Sequence, residues 1–177
     1  MKTTAQWWED VSTSPSKLED WLKDQYYGEQ TAAVRIRGLL DAYPEITAKQ
    51  RAIINRIADD EEQHAIWVKG LLNTRGIPVI EFHRDKAERY WSKVLSDEPL
   101  TFSQICAIGH HAEVMRLDRI NLLAADKRFT DIAEVFGKIL PDELFHAKAF
   151  CAMSTTADIE AARGRHNDGL NALGLAA

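Results

Sequence analysis

The sequence predicts an all-α protein: a four-helix bundle of up-down-down-up topology with a long crossover between its second and third helices. Three observations carry this. Four long segments space apolar residues three and four apart, and no run alternates polar with apolar residues as a half-buried strand would. Capping signals and prolines delimit the segments. The chain also repeats itself. Asp60-Glu61-x-x-His64-Ala65 matches Asp142-Glu143-x-x-His146-Ala147, and Glu29-x5-Arg35-Ile36 matches Glu113-x5-Arg119-Ile120.

The first helix starts at Ser14-Pro15, where a proline in the first turn loses no needed N–H, and must end before Pro44. Its apolar stripe includes Leu18, Leu22, Ala33 and Ile36, with Glu29 in its middle. The second opens with the capping box Thr47-x-x-Gln50 and stops near Gly76-Ile77-Pro78. Its inner face carries Ile54, Ile57, Glu61, His64, Val68 and Leu71. The third opens with Thr101-x-x-Gln104, and Glu113 falls in register with Ile105, Leu117 and Ile120. The fourth, from about Thr130 to Met153, sets Glu143 and His146 among Ile132, Phe136, Ile139 and Phe150. Pro141 lies inside it. The residue four back is Gly137, which leaves room for a bend.

Short connections make the first and second helices, and the third and fourth, antiparallel hairpins, while Gly76 to Pro99 is long enough to cross the length of the bundle. That crossover is expected to hold a short helix around Arg84 to Leu95, with Tyr90, Trp91, Val94 and Leu95 as a lid. After Ser154 a short helix or a frayed end is expected.

At 177 residues, one domain over 1–177 is expected, with the bundle at about 15–153 and a tail at 154–177. A net charge of -5 offers no basic excess for nucleic acid. The N-terminal residues lack the apolar run of a signal peptide, and no stretch reaches the roughly 18 apolar residues of a membrane span, so a cytoplasmic location is expected. Cys106 and Cys151 form no Cys-x-x-Cys and read as core residues.

Residues three apart on a helix share a face, so Glu61 with His64, and Glu143 with His146, can each aim an oxygen and an imidazole nitrogen at one ion. Thirteen Glu and six His would yield roughly 0.4 Glu-x-x-His pairs by chance. Two pairs on buried faces, each following an inward glutamate by about thirty residues, are not a chance pattern. Four glutamates in an apolar core without cations would also each cost several kcal/mol in desolvation or take up protons. The expected metal ligands and catalytic residues are therefore Glu29, Glu61, His64, Glu113, Glu143 and His146, with Glu29 and Glu113 bridging two ions. Oxygen-rich donors with two imidazoles and no thiolate favour two iron ions. Manganese is the alternative, and zinc an adventitious occupant.

Glu29, Glu61-x-x-His64, Glu113 and Glu143-x-x-His146 on four helices resemble the ferritin-like di-iron carboxylate superfamily, whose members include bacterioferritins, rubrerythrins and di-iron oxygenases. The resemblance covers residues 15 to 153 and assigns no subfamily. It implies that Asp60 orients His146 and that Asp142 orients His64. The chain has no thiolate motif for a rubredoxin domain, and Glu62 stands where bacterioferritin carries its haem methionine.

The function expected is a non-haem di-iron oxidoreductase, an oxidase, oxygenase or peroxidase that activates dioxygen or peroxide. A ferroxidase or iron-storage protein is the alternative, and a static metal-stabilised bundle the third reading. Expected partners are dioxygen or peroxide, a small-molecule substrate or Fe(II), an electron donor, and a second copy in a homodimer.

Tyr26 and His110, one turn before Glu29 and Glu113, are candidates to tune the site. His111 is expected in solvent. Gly109 marks close helix packing or an opening for substrate, which Trp67 and Trp91 could line.

Overall fold

The computed structural model describes residues 1–79, 86–95 and 99–175. Seven helices follow one another among them: α1 Thr4–Ser12, α2 Pro15–Ala42, α3 Ala48–Thr74, α4 Lys86–Val94, α5 Phe102–Ala125, α6 Thr130–Ala152 and α7 Thr156–Ala172. Three begin with the same device. Thr3, Thr47 and Thr101 each accept from the backbone N–H of Gln6, Gln50 and Gln104, whose side chains accept in return from the threonine N–H. Gly76 ends α3 in the left-handed region at φ 67°, where a side chain would be strained. Helix α6 runs unbroken through Pro141.

Two apolar clusters fix the topology. The lower one joins Leu18 and Leu22 of α2 to Val68 and Leu72 of α3, Ile120 and Leu123 of α5, and Ile132 and Phe136 of α6. The upper one joins Ala32 and Ile36 to Ile54 and Ile57, Phe102 and Cys106, and Ala149 and Phe150. Residue numbers rise from lower to upper cluster along α2 and α6 and fall along α3 and α5, so the bundle is up-down-down-up. Phe136, Ile54 and Ile57 are fully buried, and truncating any one to alanine should cost about 2–5 kcal/mol. The level between the clusters, residue 29 on α2, 61–64 on α3, 113 on α5 and 143–146 on α6, is where polar side chains enter the core.

The crossover and the tail each carry a helix, α4 within the span expected for a short helix and α7 as one of the two readings of the tail. The tail is α7, capped by Thr155, and it packs with α4 on the outer face of α5 around Tyr90, Val94, Ile108 and Ala162. A Cβ on Gly169 would lie 2.6 Å from the Tyr90 ring, so glycine is what lets α4 and α7 meet. Tyr90 O–H donates to His166 Nδ1 at 2.8 Å; burial, with His111 and Arg119 nearby, holds His166 down at about 4 and therefore neutral. Tyr90 and Val94 are thus buried residues, and Tyr90, Trp91 and Leu95 each keep one side on a cavity. Arg84 lies outside the described residues. Helix α1, which periodicity did not reveal, closes the lower end through Trp8, whose Nε1–H donates to Asp126 at 2.8 Å. No described helix is long and apolar enough to cross a membrane.

Candidate metal centre

The six expected ligands come together at the middle of the bundle. Glu29, Glu61, Glu143, His64 and His146 are 0–1 % exposed and Glu113 is 6 % exposed. Each sits on the apolar stripe of its own helix, so burying the stripes drives the polar groups inward with them. His64 Nδ1 lies 3.5 Å from Glu143 Oε1, 3.7 Å from Glu61 Oε2 and 3.9 Å from Glu29 Oε2. His146 Nδ1 lies 3.4 Å from Glu61 Oε1 and 3.9 Å from Glu143 Oε2.

These atoms form two groups with ligand atoms within 4.8 Å of one another: Glu29, Glu61, His64 and Glu143, and Glu61, Glu113, Glu143 and His146. Each group can hold one ion. Glu61 and Glu143 belong to both, and Glu29 and Glu113 to one each. The acids common to the two groups are thus those of the Glu-x-x-His pairs, whereas Glu29 and Glu113 were expected to be the shared ones; α3 packs on α6, with α2 against α3 and α5 against α6.

The buried donor atoms also fit two cations chemically. Among the described residues, every buried side-chain nitrogen or oxygen without a hydrogen-bond partner belongs to these six residues or to Arg116. Such orphans ordinarily cost about 1–3 kcal/mol each; those of the glutamates and imidazoles form a set of lone pairs that cations satisfy, while the Arg116 Nε–H is a donor and takes no part.

The outer nitrogens are held in a crossed arrangement. His64 Nε2–H donates to Asp142 Oδ2 at 3.3 Å, and His146 Nε2–H donates to Asp60 Oδ2 at 3.2 Å. Each aspartate precedes the glutamate of the opposite pair, and the crossing follows from the antiparallel run of α3 and α6. With the proton on Nε2, the Nδ1 lone pair faces the carboxylates. Arg56, over the Phe145 ring at 3.7 Å, stands 3.5 Å from Asp60 and fixes that carboxylate from the solvent side.

Arg116 is the site residue that sequence reasoning missed. Its guanidinium donates to Glu29 Oε1 at 2.6 Å and lies 2.8 Å from Glu143 Oε1. The signal was present: Arg116 follows Glu113 by three residues and so shares its face. The equivalent place after Glu29 is Ala32, so this charge breaks the internal repeat.

Burial pushes Glu29 and Glu113 well above the usual carboxylate range, helped by neighbouring glutamates and opposed by Arg116. Burial would raise Glu61 too, but His146, His64 and Arg116 hold it well below that range. Burial alone would lower His64, yet Glu61, Glu29 and Glu143 outweigh it and raise the imidazole to about 9. Without cations the cluster thus balances its charge with protons and one arginine.

Other candidates are used elsewhere. His110 Nδ1–H donates to the Ala147 carbonyl at 3.0 Å, and Tyr26 packs on the lower cluster. His111 is not solvated: its Nε2–H donates to the Ile159 carbonyl at 2.9 Å and its ring stacks on His166. Trp67 packs beside the His64 ring, 5.7 Å between centroids. A Cβ on Gly109 would meet the Phe150 ring at 3.2 Å, so the glycine serves close packing and at the same time lines a cavity. That cavity, about 750 Å³, lies between α2 and α5 and reaches Glu61, Glu113 and Arg116. Trp91 lines it, and Trp67 does not.

The family model described as Rubrerythrin matches residues 20–154. Comparisons with the curated proteins and with the solved structures found no match.

Proposed function

Because the chain belongs to the rubrerythrin family across residues 20–154, we propose that it is a di-iron oxidoreductase acting on dioxygen or peroxide. Glu29, Glu61, His64, Glu113, Glu143 and His146 would hold the two irons. The observation that carries this reading is the pair of four-residue groups sharing Glu61 and Glu143 and opening on a cavity. Iron bound there supplies one-electron redox steps and Lewis acidity.

The protein's own groups have definable tasks. Asp60 and Asp142 keep the Nε2 protons and thereby the orientation of both imidazoles. The clusters above and below exclude bulk water, which strengthens electrostatic interactions at the centre. Arg116 offers a fixed donor beside Glu29 and Glu143, suited to a negatively charged oxygen species entering from the cavity.

Access argues against a static bundle, since a purely structural pair of ions needs no cavity at its side. The mixed charge of that cavity bears on the choice between enzyme and iron storage. Arg35, Arg116 and Arg119 line it beside Asp10, Asp20, Asp24, Glu61 and Glu113, so the cavity is no all-acidic entry lane for Fe(II) and offers guanidiniums to an anion.

Anaerobic loading with Fe(II), elemental analysis and mixing with dioxygen or peroxide test the reading. Two irons per chain should oxidise faster than Fe(II) in buffer and turn over again only when a reductant is added. Uptake of many irons into a large assembly would favour storage instead. Two bound irons that oxidise no faster than the buffer control would leave only a structural role.

A further inference from the structure

The repeat that supplies the ligands also supplies Arg35 and Arg119, each six residues after its glutamate. Ion binding uses neither. Both line the cavity between α2 and α5. The Arg35 guanidinium lies over the Trp91 ring at 4.6 Å, and that of Arg119 faces the Trp7 ring at 5.2 Å. Arg119 also points an N–H at Met115 Sδ at 3.4 Å. Among the described residues, neither arginine has a carboxylate within ion-pair distance, whereas Arg116 has three, Glu29, Glu143 and Glu113.

Because α2 and α5 run in opposite directions, Arg35 stands above the level of the glutamates and Arg119 below it. Long helical side chains lean toward their own N-terminus, which brings both heads back toward that level and toward Arg116. The crowding registers electrostatically. Burial and Arg116 lower Arg119 to about 10, and burial, with Arg116 contributing, also holds Arg35 below its ordinary value. A guanidinium does not shed its proton near neutral pH, so these two beside Arg116, Arg35 open to solvent and Arg119 half-buried, favour an anion that reaches them. The cavity is otherwise apolar at its upper end, where Ile36 and Leu39 face Ile105 and Ile108. A volume of about 750 Å³ lies within the roughly 300–1,000 Å³ that ligand sites occupy.

We propose that this cavity binds an organic carboxylate with an apolar body, its head on Arg35, Arg119 and Arg116 and its body along Ile36, Leu39, Ile105 and Ile108. This names a substrate class for the oxidoreductase proposed above and rests on that reading only for the ligand being a substrate; binding itself needs no iron. A carboxylate takes two parallel N–H bonds from a guanidinium, a match that an alcohol or amine lacks. Trp7 and Trp91, against which the arginines rest, should report the ligand's arrival.

Decanoate, decanol and decylamine are the probes, titrated by calorimetry and tryptophan fluorescence into the full chain, both metal-free and Fe(II)-loaded. Decanoate should bind saturably at one site, and decanol and decylamine at least about tenfold more weakly, roughly 1.4 kcal/mol. Arg35→Gln and Arg119→Gln should each weaken decanoate by about tenfold and leave decanol unchanged. Leu39→Trp, which fills the apolar end and keeps all three arginines, should block decanoate, so the result does not hang on one variant folding. Decanol binding as tightly as decanoate, wild-type decanoate affinity in R35Q/R119Q, or no saturable decanoate binding would each overturn the proposal. Decanoate binding in a protein that takes up no iron would sink the enzyme reading and leave the carboxylate site. Two irons that oxidise as proposed, without decanoate binding, would sink the carboxylate site alone.

Discussion

The Arg116 guanidinium donates to Glu29 across the bundle at 2.6 Å, although the two residues are 87 positions apart. It is a cation among four buried glutamates; burial alone would lower its pKa, but the glutamates keep it firmly charged. Arg116→Ala should therefore destabilise the metal-free protein by about 3 kcal/mol, since removing one partner of a buried pair strands the other. Two divalent ions compensate the same carboxylates, so the metal-loaded protein should lose less. Denaturant melts with and without metal check this, and equal losses in both states would contradict the assigned role.

The sharing of Glu61 and Glu143 between the two groups predicts unequal losses of metal. Glu61→Ala and Glu143→Ala should drop bound iron toward zero, because each deprives both sites. Glu29→Ala or Glu113→Ala should leave about one ion per chain. Glu62→Ala should leave both, since Glu62 is exposed and pairs with Arg37 at 2.6 Å. Elemental analysis of purified variants decides; two ions retained in Glu61→Ala would mean that Glu61 does not bridge.

The crossed aspartates give a subtler expectation. Asp60→Asn and Asp142→Asn keep size and helix but remove the charge that fixes the imidazole proton, so metal affinity should fall about 10- to 100-fold with little change in fold. Competition against a chelator measures this, and unchanged affinity would make the aspartates bystanders.

Stability should respond to pH in opposite ways with and without metal. His64, raised to about 9 in the folded protein from roughly 6.5 unfolded, contributes stability that is complete below the unfolded value. That contribution is lost as pH rises through the folded value. Glu29 and Glu113, also raised, act in the same direction, whereas Glu61, held low, loses its contribution only in acid. The metal-free melting temperature should therefore fall between about pH 6.5 and 9. Metal displaces these protons, so the loaded protein should hold or gain stability over that range. A metal-free protein that gains stability there would contradict the charge balance described.

Removing metal is the simplest test. At a free-ion concentration 100 times Kd, bound metal should add about 2.7 kcal/mol per site, and a chelator should reverse it. Superimposable melts before and after chelation would argue against a metal centre.

The sequence by itself determined what depends on local spacing. Helical period and caps gave the four bundle helices nearly to the residue. The Glu-x-x-His intervals put the acids and histidines on buried faces, because three residues along a helix return to the same side. Helix α1 was not anticipated: Thr3-x-x-Gln6 repeats the box that marks α3 and α5, but the short Trp-rich stretch lacks a long stripe to draw attention to it. Tertiary structure alone decided which carboxylates are shared, for that depends on α3 and α6 facing each other across the centre, a lateral relation no spacing within one helix encodes. It turned Arg116 inward against the expectation that arginine seeks water, because Glu29 and Glu143 from other helices offer it charge. It placed His111 under α7 and not in solvent, and it aligned Arg35 and Arg119, repeat mates from separate helices, on one cavity. Burial and charge at a point are sums over every element that meets there, and those sums exist only once the helices have packed.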